Sequence, residues 1–384
     1  MSNLFETEEE NYLHFDTGEG SSVNTEELLE PKESSLFLSD QSFEQDFINF
    51  LSNEKVPHAV IFSGDMGIGK STFAYRLTRF LLKYGKAQSQ DAGLFGDAAP
   101  VILPESMDVP ADDPVFRKVL SGGHPDFLAL EPAEGKKGLD VEQIRKVAPF
   151  LRKTASEDGG WRIVLIDEAN TMNRNAQNAL LKILEEPPER TLLMLISHNS
   201  AAFLPTIHSR CRLFQFEAPS MQIYERLLFK KDPHLSPDKL KSLFEYSSGS
   251  IGQTINFIEF NGLDLMEQTI QHFGSLPNPD YEQIHLFCEQ FSRNAKPETW
   301  QIFYDLTLWI FEELVLAKAK KHELISSLSN LSHLNNLCSL EEQVEICQML
   351  EGKFQRADRS NLDKRQTALE IFMVLEEILK KDKN

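Results

Sequence analysis

The stretch His58–Leu77, HAVIFSGDMGIGKSTFAYRL, constrains this chain more than any other. An apolar run, Ala59–Phe62, meets a glycine-rich turn, and a helical pattern opens at Ser71. Inside lies Gly64–Asp65–Met66–Gly67–Ile68–Gly69–Lys70–Ser71, a complete G-x-x-x-x-G-K-S. Glycines let the backbone curl so that successive N–H groups face a phosphate. The helix that follows adds the positive end of its dipole. Lys70 would reach the outer phosphates, the Ser71 hydroxyl would hold Mg²⁺, and Thr72 completes the binding set. A glycine turn that binds nothing is the bland alternative, and a strand before with a helix after argues against it. ATP and Mg²⁺ are the expected ligands, and binding them does not imply hydrolysis.

The surrounding pattern is α/β. Ser42–Asn53 carries Phe43, Phe47, Ile48 and Leu51 on one helical face, and the helix after the loop runs to about Lys83. Residues 84–123 are weakly patterned, with several Pro, Gly and Asp, and read as an insertion or long loop. His124–Pro125–Asp126 leads into a short strand, Phe127–Leu130. Asp140 and Gln143 have capping-box spacing ahead of a helix that Pro149 is expected to kink. Arg162–Ile166 runs straight into Asp167–Glu168, as a central parallel strand would. Asn173 is placed to cap the next helix, and strands follow at Leu192–Ser197 and near Leu213–Phe216. Alternating strands and helices to about residue 217 imply a parallel sheet with right-handed crossovers. Beyond it only helical patterns remain, and Asn361 is expected to cap the last of them.

Asp167 sits where Mg²⁺ would be held, and Glu168 where an attacking water would be oriented or deprotonated. Two acidic residues simply facing solvent at a strand end are the alternative. Ser197 is placed to sense a terminal phosphate, although a serine ending a strand is usually a turn residue. Arg210 follows a proline-containing loop. It can form a salt bridge within its own domain or act in trans as an arginine finger, and the residues alone leave both readings open.

Composition narrows the partners. The chain has 384 residues, 41% hydrophobic and 26% charged, enough for about two or three globular domains. No stretch has the length and apolarity of a spanning helix, and the N-terminus lacks a basic start followed by an apolar block. A cytoplasmic protein with no membrane partner is expected. Residues 1–38 read as an acidic tail with too few apolar residues to order. The net charge of −20 opposes counterion-release binding, so little intrinsic DNA affinity is expected. Four cysteines, Cys211, Cys288, Cys338 and Cys347, show no metal spacing.

Several stretches together resemble the clamp-loader branch of the AAA+ ATPases, as found in bacterial DNA polymerase III. They are the loop, His124–Asp126, Gly159–Glu168 (GGWRIVLIDE), Asn178–Pro188 (NALLKILEEPP) and Leu204–Cys211 (LPTIHSRC). Asn361–Gln366, NLDKRQ, adds a weaker match. The resemblance covers roughly residues 40–260. It implies an AAA+ domain over 39–217, a helical lid over 218–278 and a helical collar over 279–384 that joins an arc of subunits. It further implies that Arg210, in Ser-Arg-Cys, is offered to the ATP of an adjacent motor subunit, gamma or tau. The other partners it implies are delta and, through the assembly, the sliding clamp and primed DNA. Residues 84–123 lack the cysteines that often hold zinc in such subunits, so no zinc is expected. The lid reads Gly249–Ser250–Ile251–Gly252–Gln253, with no arginine where the family sets a sensor. That favours a stator with weak or absent ATPase over the alternative, a gamma/tau-type motor.

Overall fold

The computed structural model of the chain describes residues 30–86, 103–132, 138–157 and 159–381. Its first half is built on five strands: β1 (Ala59–Ser63), β2 (Phe127–Leu130), β3 (Arg162–Ile166), β4 (Thr191–Ser197) and β5 (Arg212–Gln215). They pair in parallel in the order β2-β3-β4-β1-β5. β1, β3 and β4 are apolar runs buried at every position, which is what strands covered on both faces require. β5, buried only at Phe214, takes an edge.

Alternation along β1 divides the core in two. Val60 and Phe62 face α1 (Phe43–Ser52), α2 (Lys70–Tyr84) and α3 (Pro114–Leu120). Ala59 and Ile61 face α4 (Val141–Ile144), α5 (Val147–Leu151), α6 (Arg174–Glu185) and α7 (Pro205–His208). On the first face the rings of Phe43, Phe47, Phe62, Phe73, Phe214 and Phe216 meet in edge-to-face and tilted pairs, their centroids 4.6–6.2 Å apart. This cluster fixes α2, and with it the phosphate loop, on the sheet.

Several sequence expectations are met in detail and others are displaced. Asn173 caps α6, its side chain accepting the Ala176 N–H (3.0 Å), and Gln143 Oε1 accepts the Asp140 N–H (3.0 Å). The Pro149 kink falls a turn early, between α4 and α5. Pro149 has no N–H for the Arg145 carbonyl, so the helix breaks at 145–146 and restarts around the proline. Asn361 does not cap the last helix. It adopts a left-handed turn (φ 47°), and Asp363 caps instead, its side chain accepting the Gln366 N–H (3.0 Å) and its carbonyl the Thr367 N–H (2.9 Å).

Part of the 84–123 stretch is also more ordered than its pattern suggests. Asp113 caps α3 through the Val115 N–H (2.8 Å), and Met107 and Val109 are buried beside it. Residues 87–102 of that stretch, and 1–29 of the acidic tail, lie outside the described residues. Residues 30–38 of the tail form a strap along α2. Arg79, buried, donates to the Lys32 and Ser34 carbonyls (3.3 and 2.6 Å), and Arg76 donates to that of Ser35. Phe37 lies 5.2 Å from Phe73. Burial pushes the Arg79 guanidinium down to about 10. Strap carbonyls are the acceptors that make so buried a cation tolerable.

The second half is helical: α8 (Met221–Lys231), α9 (Pro237–Ser247), α10 (Ile251–Glu259), α11 (Gly262–Gly274), α12 (Tyr281–Cys288), α13 (Pro297–Lys320), α14 (Leu340–Arg359) and α15 (Lys364–Lys381). A single apolar core runs from Tyr224 to Leu379, so the lid and collar segments share one interior. Among the described residues no helix is long and apolar enough to cross a membrane.

One buried ion pair ties the far end of the sheet together. Arg162, at the start of β3, donates to Asp126 (3.0 Å) and to the Phe150 and Thr154 carbonyls (each 2.9 Å). Asp126 also accepts the Ser156 N–H (3.0 Å) and hydroxyl. Both charges are about 5% exposed. Removing one leaves the other buried and unpaired, which costs about 3–5 kcal/mol. Asp126→Ala is therefore expected to lower the unfolding free energy by that amount in urea. The double variant Asp126→Ala, Arg162→Met is expected to recover part of it.

Candidate functional site

The candidate site begins where β1 stops. Gly64 has φ +145°, and a Cβ there would lie 2.4 Å from the Phe216 carbonyl oxygen, so only glycine lets the chain turn so close to the end of β5. Asp65 and Met66 form an exposed tip, Ile68 folds back into the core, and Gly69 (φ +96°) opens α2. Lys70 is buried, its ammonium donating to the Gly64 carbonyl (2.7 Å) and to that of Asp65. Burial lowers its pKa, with the carboxylates of Asp167 and Asp65 opposing the shift. Ser71 donates its hydroxyl to Asp167 Oδ2 (2.8 Å), and half-buried Thr72 follows.

Asp167 therefore meets the loop as the sequence suggested. Its other oxygen accepts the Glu168 N–H (2.8 Å), which turns Glu168 into a left-handed conformation (φ 47°) with its side chain exposed. A non-glycine residue in that region is strained, and such strain concentrates at functional sites. The hydroxyl of Ser71 and the carboxylate of Asp167 are hard oxygen donors at one point, a set that fits Mg²⁺. Ser197 stands beside Ser63 in the register, but its buried hydroxyl accepts the Asn199 N–H (2.9 Å) and closes the turn after β4. That is the ordinary role of a serine at a strand end.

Arg210 lies elsewhere. Its guanidinium pairs with Glu185 on α6 (3.1 Å) and donates to the Thr206 carbonyl (3.0 Å) and the Ser209 hydroxyl (3.1 Å), with 34% of the side chain exposed. Val60 is opposite Arg212 in the parallel register, so Arg210 is level with the entry to β1 while Gly64 follows its exit. Six residues at ~3.3 Å each separate those levels by roughly 20 Å. Arg210 and this chain's own phosphate loop occupy opposite ends of the sheet. The neighbouring Cys211 thiol is pushed up to about 12 by burial and stays protonated.

The sequence reading missed the lid's direct hold on the loop. The Ser250 hydroxyl donates to the Met66 carbonyl (2.8 Å), and the Gly252 N–H donates to that of Gly67 (2.9 Å). The available signal was the second glycine of Gly249–Ser250–Ile251–Gly252, inside a helix that gains nothing from it. Gln253, where an arginine was expected, is exposed and gives its N–H to Ser250 Oγ (3.2 Å).

A parallel sheet whose inner strand ends in a phosphate loop, a carboxylate at Asp167 and a helical lid resting on that loop define an AAA+ P-loop protein. Residues 107–220 match the family described as DNA polymerase III, delta subunit. DNA polymerase III subunit delta' of Pseudomonas aeruginosa is 32% identical over 255 residues, 66% of this chain and 71% of that one. The Escherichia coli subunit delta' is 29% identical over 228 residues, 59% of this chain and 62% of that one. DNA polymerase III subunit gamma of Buchnera aphidicola is 27% identical over 215 residues, covering 55% and 53%. The chain belongs to the DNA polymerase III subunit delta-prime family, and its likeness to gamma is the weaker one.

The Arg210–Glu185 pair is half in solvent, and such pairs contribute about 0–1 kcal/mol. Arg210→Ala and Glu185→Ala are each expected to shift the urea unfolding free energy by less than about 1 kcal/mol.

Proposed function

We propose that this chain acts as the stator of a DNA polymerase III clamp loader. It would lend Arg210 to a nucleotide held by a neighbouring gamma or tau subunit, with delta, the sliding clamp and primed DNA as the further partners. The observation that carries this reading is the position of Arg210: half exposed, weakly paired, and at the opposite end of the sheet from this chain's own loop. An arginine there serves a phosphate only on another subunit. Its planar, permanently charged fork suits the equatorial oxygens of a transferring phosphoryl group.

The chain's own site supports ATP·Mg²⁺ binding with little turnover. Loop amides from Gly67 to Ser71 would cradle the phosphates, and Lys70 would exchange the Gly64 and Asp65 carbonyls for phosphate oxygens. Ser71 and Asp167 would hold Mg²⁺, which supplies charge neutralisation between the outer phosphates. Glu168 would orient water from its exposed position. At the lid position where the arginine was expected, this chain carries the uncharged Gln253. A missing preorganised charge of that kind commonly costs 10²–10³ in rate. The intact loop and Asp167–Glu168 keep a gamma-type motor as the second reading.

Two measurements separate these readings. The purified chain is expected to bind ATP·Mg²⁺ and to turn it over slowly or not at all; brisk ATPase abolished by Lys70→Ala would identify a motor. In the reconstituted loader, Arg210→Ala is expected to join the complex normally and to cut DNA- and clamp-stimulated hydrolysis at one site by on the order of 10³. Clamp loading should fall with it, and Lys70→Ala should do far less. The reverse pattern, with Lys70→Ala blocking loading and Arg210→Ala silent, sinks the stator reading.

A further inference from the structure

The lid meets the backbone of the phosphate loop through one hydroxyl and one amide. Ser250 caps α10, accepting the Gln253 N–H (3.2 Å) while donating to the Met66 carbonyl (2.8 Å). Two residues on, the Gly252 N–H donates to the Gly67 carbonyl (2.9 Å). The approach leaves no room for side chains. A Cβ at Gly252 would lie 2.9 Å from Gly67 Cα, and one at Gly67 would lie 2.3 Å from Ser250 Oγ. Behind the contact the lid is braced: Thr254 donates to the Ser250 carbonyl (2.8 Å), and the Tyr224 hydroxyl is 2.6 Å from Thr254 Oγ1 and 3.3 Å from Ser247 Oγ. All four of these lid residues are buried.

In a trans peptide the carbonyl and the N–H of the next residue point in opposite directions. Holding the Met66 and Gly67 carbonyls on the lid therefore turns the Gly67 and Ile68 N–H groups away from it, into the curl of the loop. Those are amides that a phosphate would use. We infer that Ser250 and Gly252 are positioning residues for the phosphate loop: the lid, docked through them, sets the loop amides for a phosphate, and position 252 must be glycine for the lid to dock. The inference rests on the nucleotide-binding reading of the loop and is independent of Arg210. Where the family sets a lid arginine on the nucleotide, this chain's lid acts on the loop that would hold it.

A rival account makes Gly252 an ordinary exposed helix glycine. Alanine would then stabilise α10, because glycine is a poor helix former. Gly352 supplies the control, since it lies within α14 and a Cβ there meets nothing within 4 Å. In the full chain, Gly352→Ala is expected to raise the melting temperature and change nothing else. Gly252→Ala is expected to speed amide exchange without nucleotide about tenfold or more in peptides covering 64–71 and 250–256, and to weaken binding of a fluorescent ATP·Mg²⁺ analogue about tenfold, as 1.4 kcal/mol of lost interaction would. Ser250→Ala, which removes the hydroxyl's bonds to the Met66 carbonyl and the Gln253 N–H but adds no bulk, is expected to move both readouts the same way by less. Gly252→Ala behaving like Gly352→Ala overturns the inference. A wild-type chain that binds no analogue overturns the nucleotide reading instead, and the exchange comparison still decides whether the lid orders the loop.

Discussion

The parallel pairing of β1, with β4 on one side and β5 on the other, is the constraint on which the rest of the domain depends. A parallel strand sends its exit and its neighbours' exits to the same end of the sheet. The phosphate loop, Asp167 and the turn at Ser197 therefore gather there, because β1, β3 and β4 all finish there. The entries to the strands gather at the other end, so Glu185 before β4 and Arg210 before β5 can meet. No loop of ordinary length could bring Arg210 round to Gly64. The separation of the phosphate-loop end from the Arg210 end thus follows from strand direction alone.

α2 joins those two ends. Its N-terminus carries Lys70 and Ser71, and the carbonyl of Gly85, which caps its C-terminus, accepts the Trp161 indole N–H (2.7 Å) and the Arg190 guanidinium. A cation at a helix C-terminus is favourable against the dipole, just as phosphate would be at the N-terminus. Arg190 lies in the connection that follows Glu185 at the end of α6, so the segment between α6 and β4 that begins at the Arg210 pair also pins the phosphate-loop helix. Along its side, Arg76 and Arg79 bind the strap, and Asp40 and Gln41 beyond it reach Ser220 and Glu217 at the entrance to the lid.

Features carried by local pattern were legible in the sequence, and features carried by long-range backbone contact were not. The strands stood out because each is a continuous apolar run or ends in a marked turn, and the loop because its spacing is nearly unique to phosphate binding. α3 escaped because seven residues make barely two turns, too few for a period to show. The strap escaped because most of it is polar and its one apolar run, Leu36–Leu38, is too short to show a period; Arg76 and Arg79, some forty residues later, bind its carbonyls and Phe37 packs on Phe73. The lid contact joins residues 184 or more apart through one serine hydroxyl and one backbone amide meeting loop carbonyls, groups found throughout any sequence. Only the serine at 250 and the glycine at 252 record it, and each residue type has many possible causes. Asn361 and Asp363 show the same limit on a small scale, since either can cap and the turn before the helix decides.

The acidic balance gains a sharper meaning once each arginine has a place. Thirty-nine basic residues face fifty-nine acidic ones, giving −20, yet several of the strongest cations are turned inward. Arg79 is spent on strap carbonyls and Arg162 on Asp126, while Arg76 pairs with Glu44 and Asp108. Arg190 holds the end of α2, and Arg212 lies over the Phe50 ring at 4.3 Å. Moving Arg79 or Arg162 to a phosphate would leave buried acceptors or a buried charge uncompensated, at several kcal/mol. Arg210 differs in kind. Its partner Glu185 is 51% exposed and readily resolvated, so exchanging that carboxylate for a phosphate costs the fold about 1 kcal/mol at most. Arg210 is thus a cation at the strand-entry end of the sheet whose present pairing binds it only weakly to its own domain, which is the physical condition the proposed role in an assembly requires.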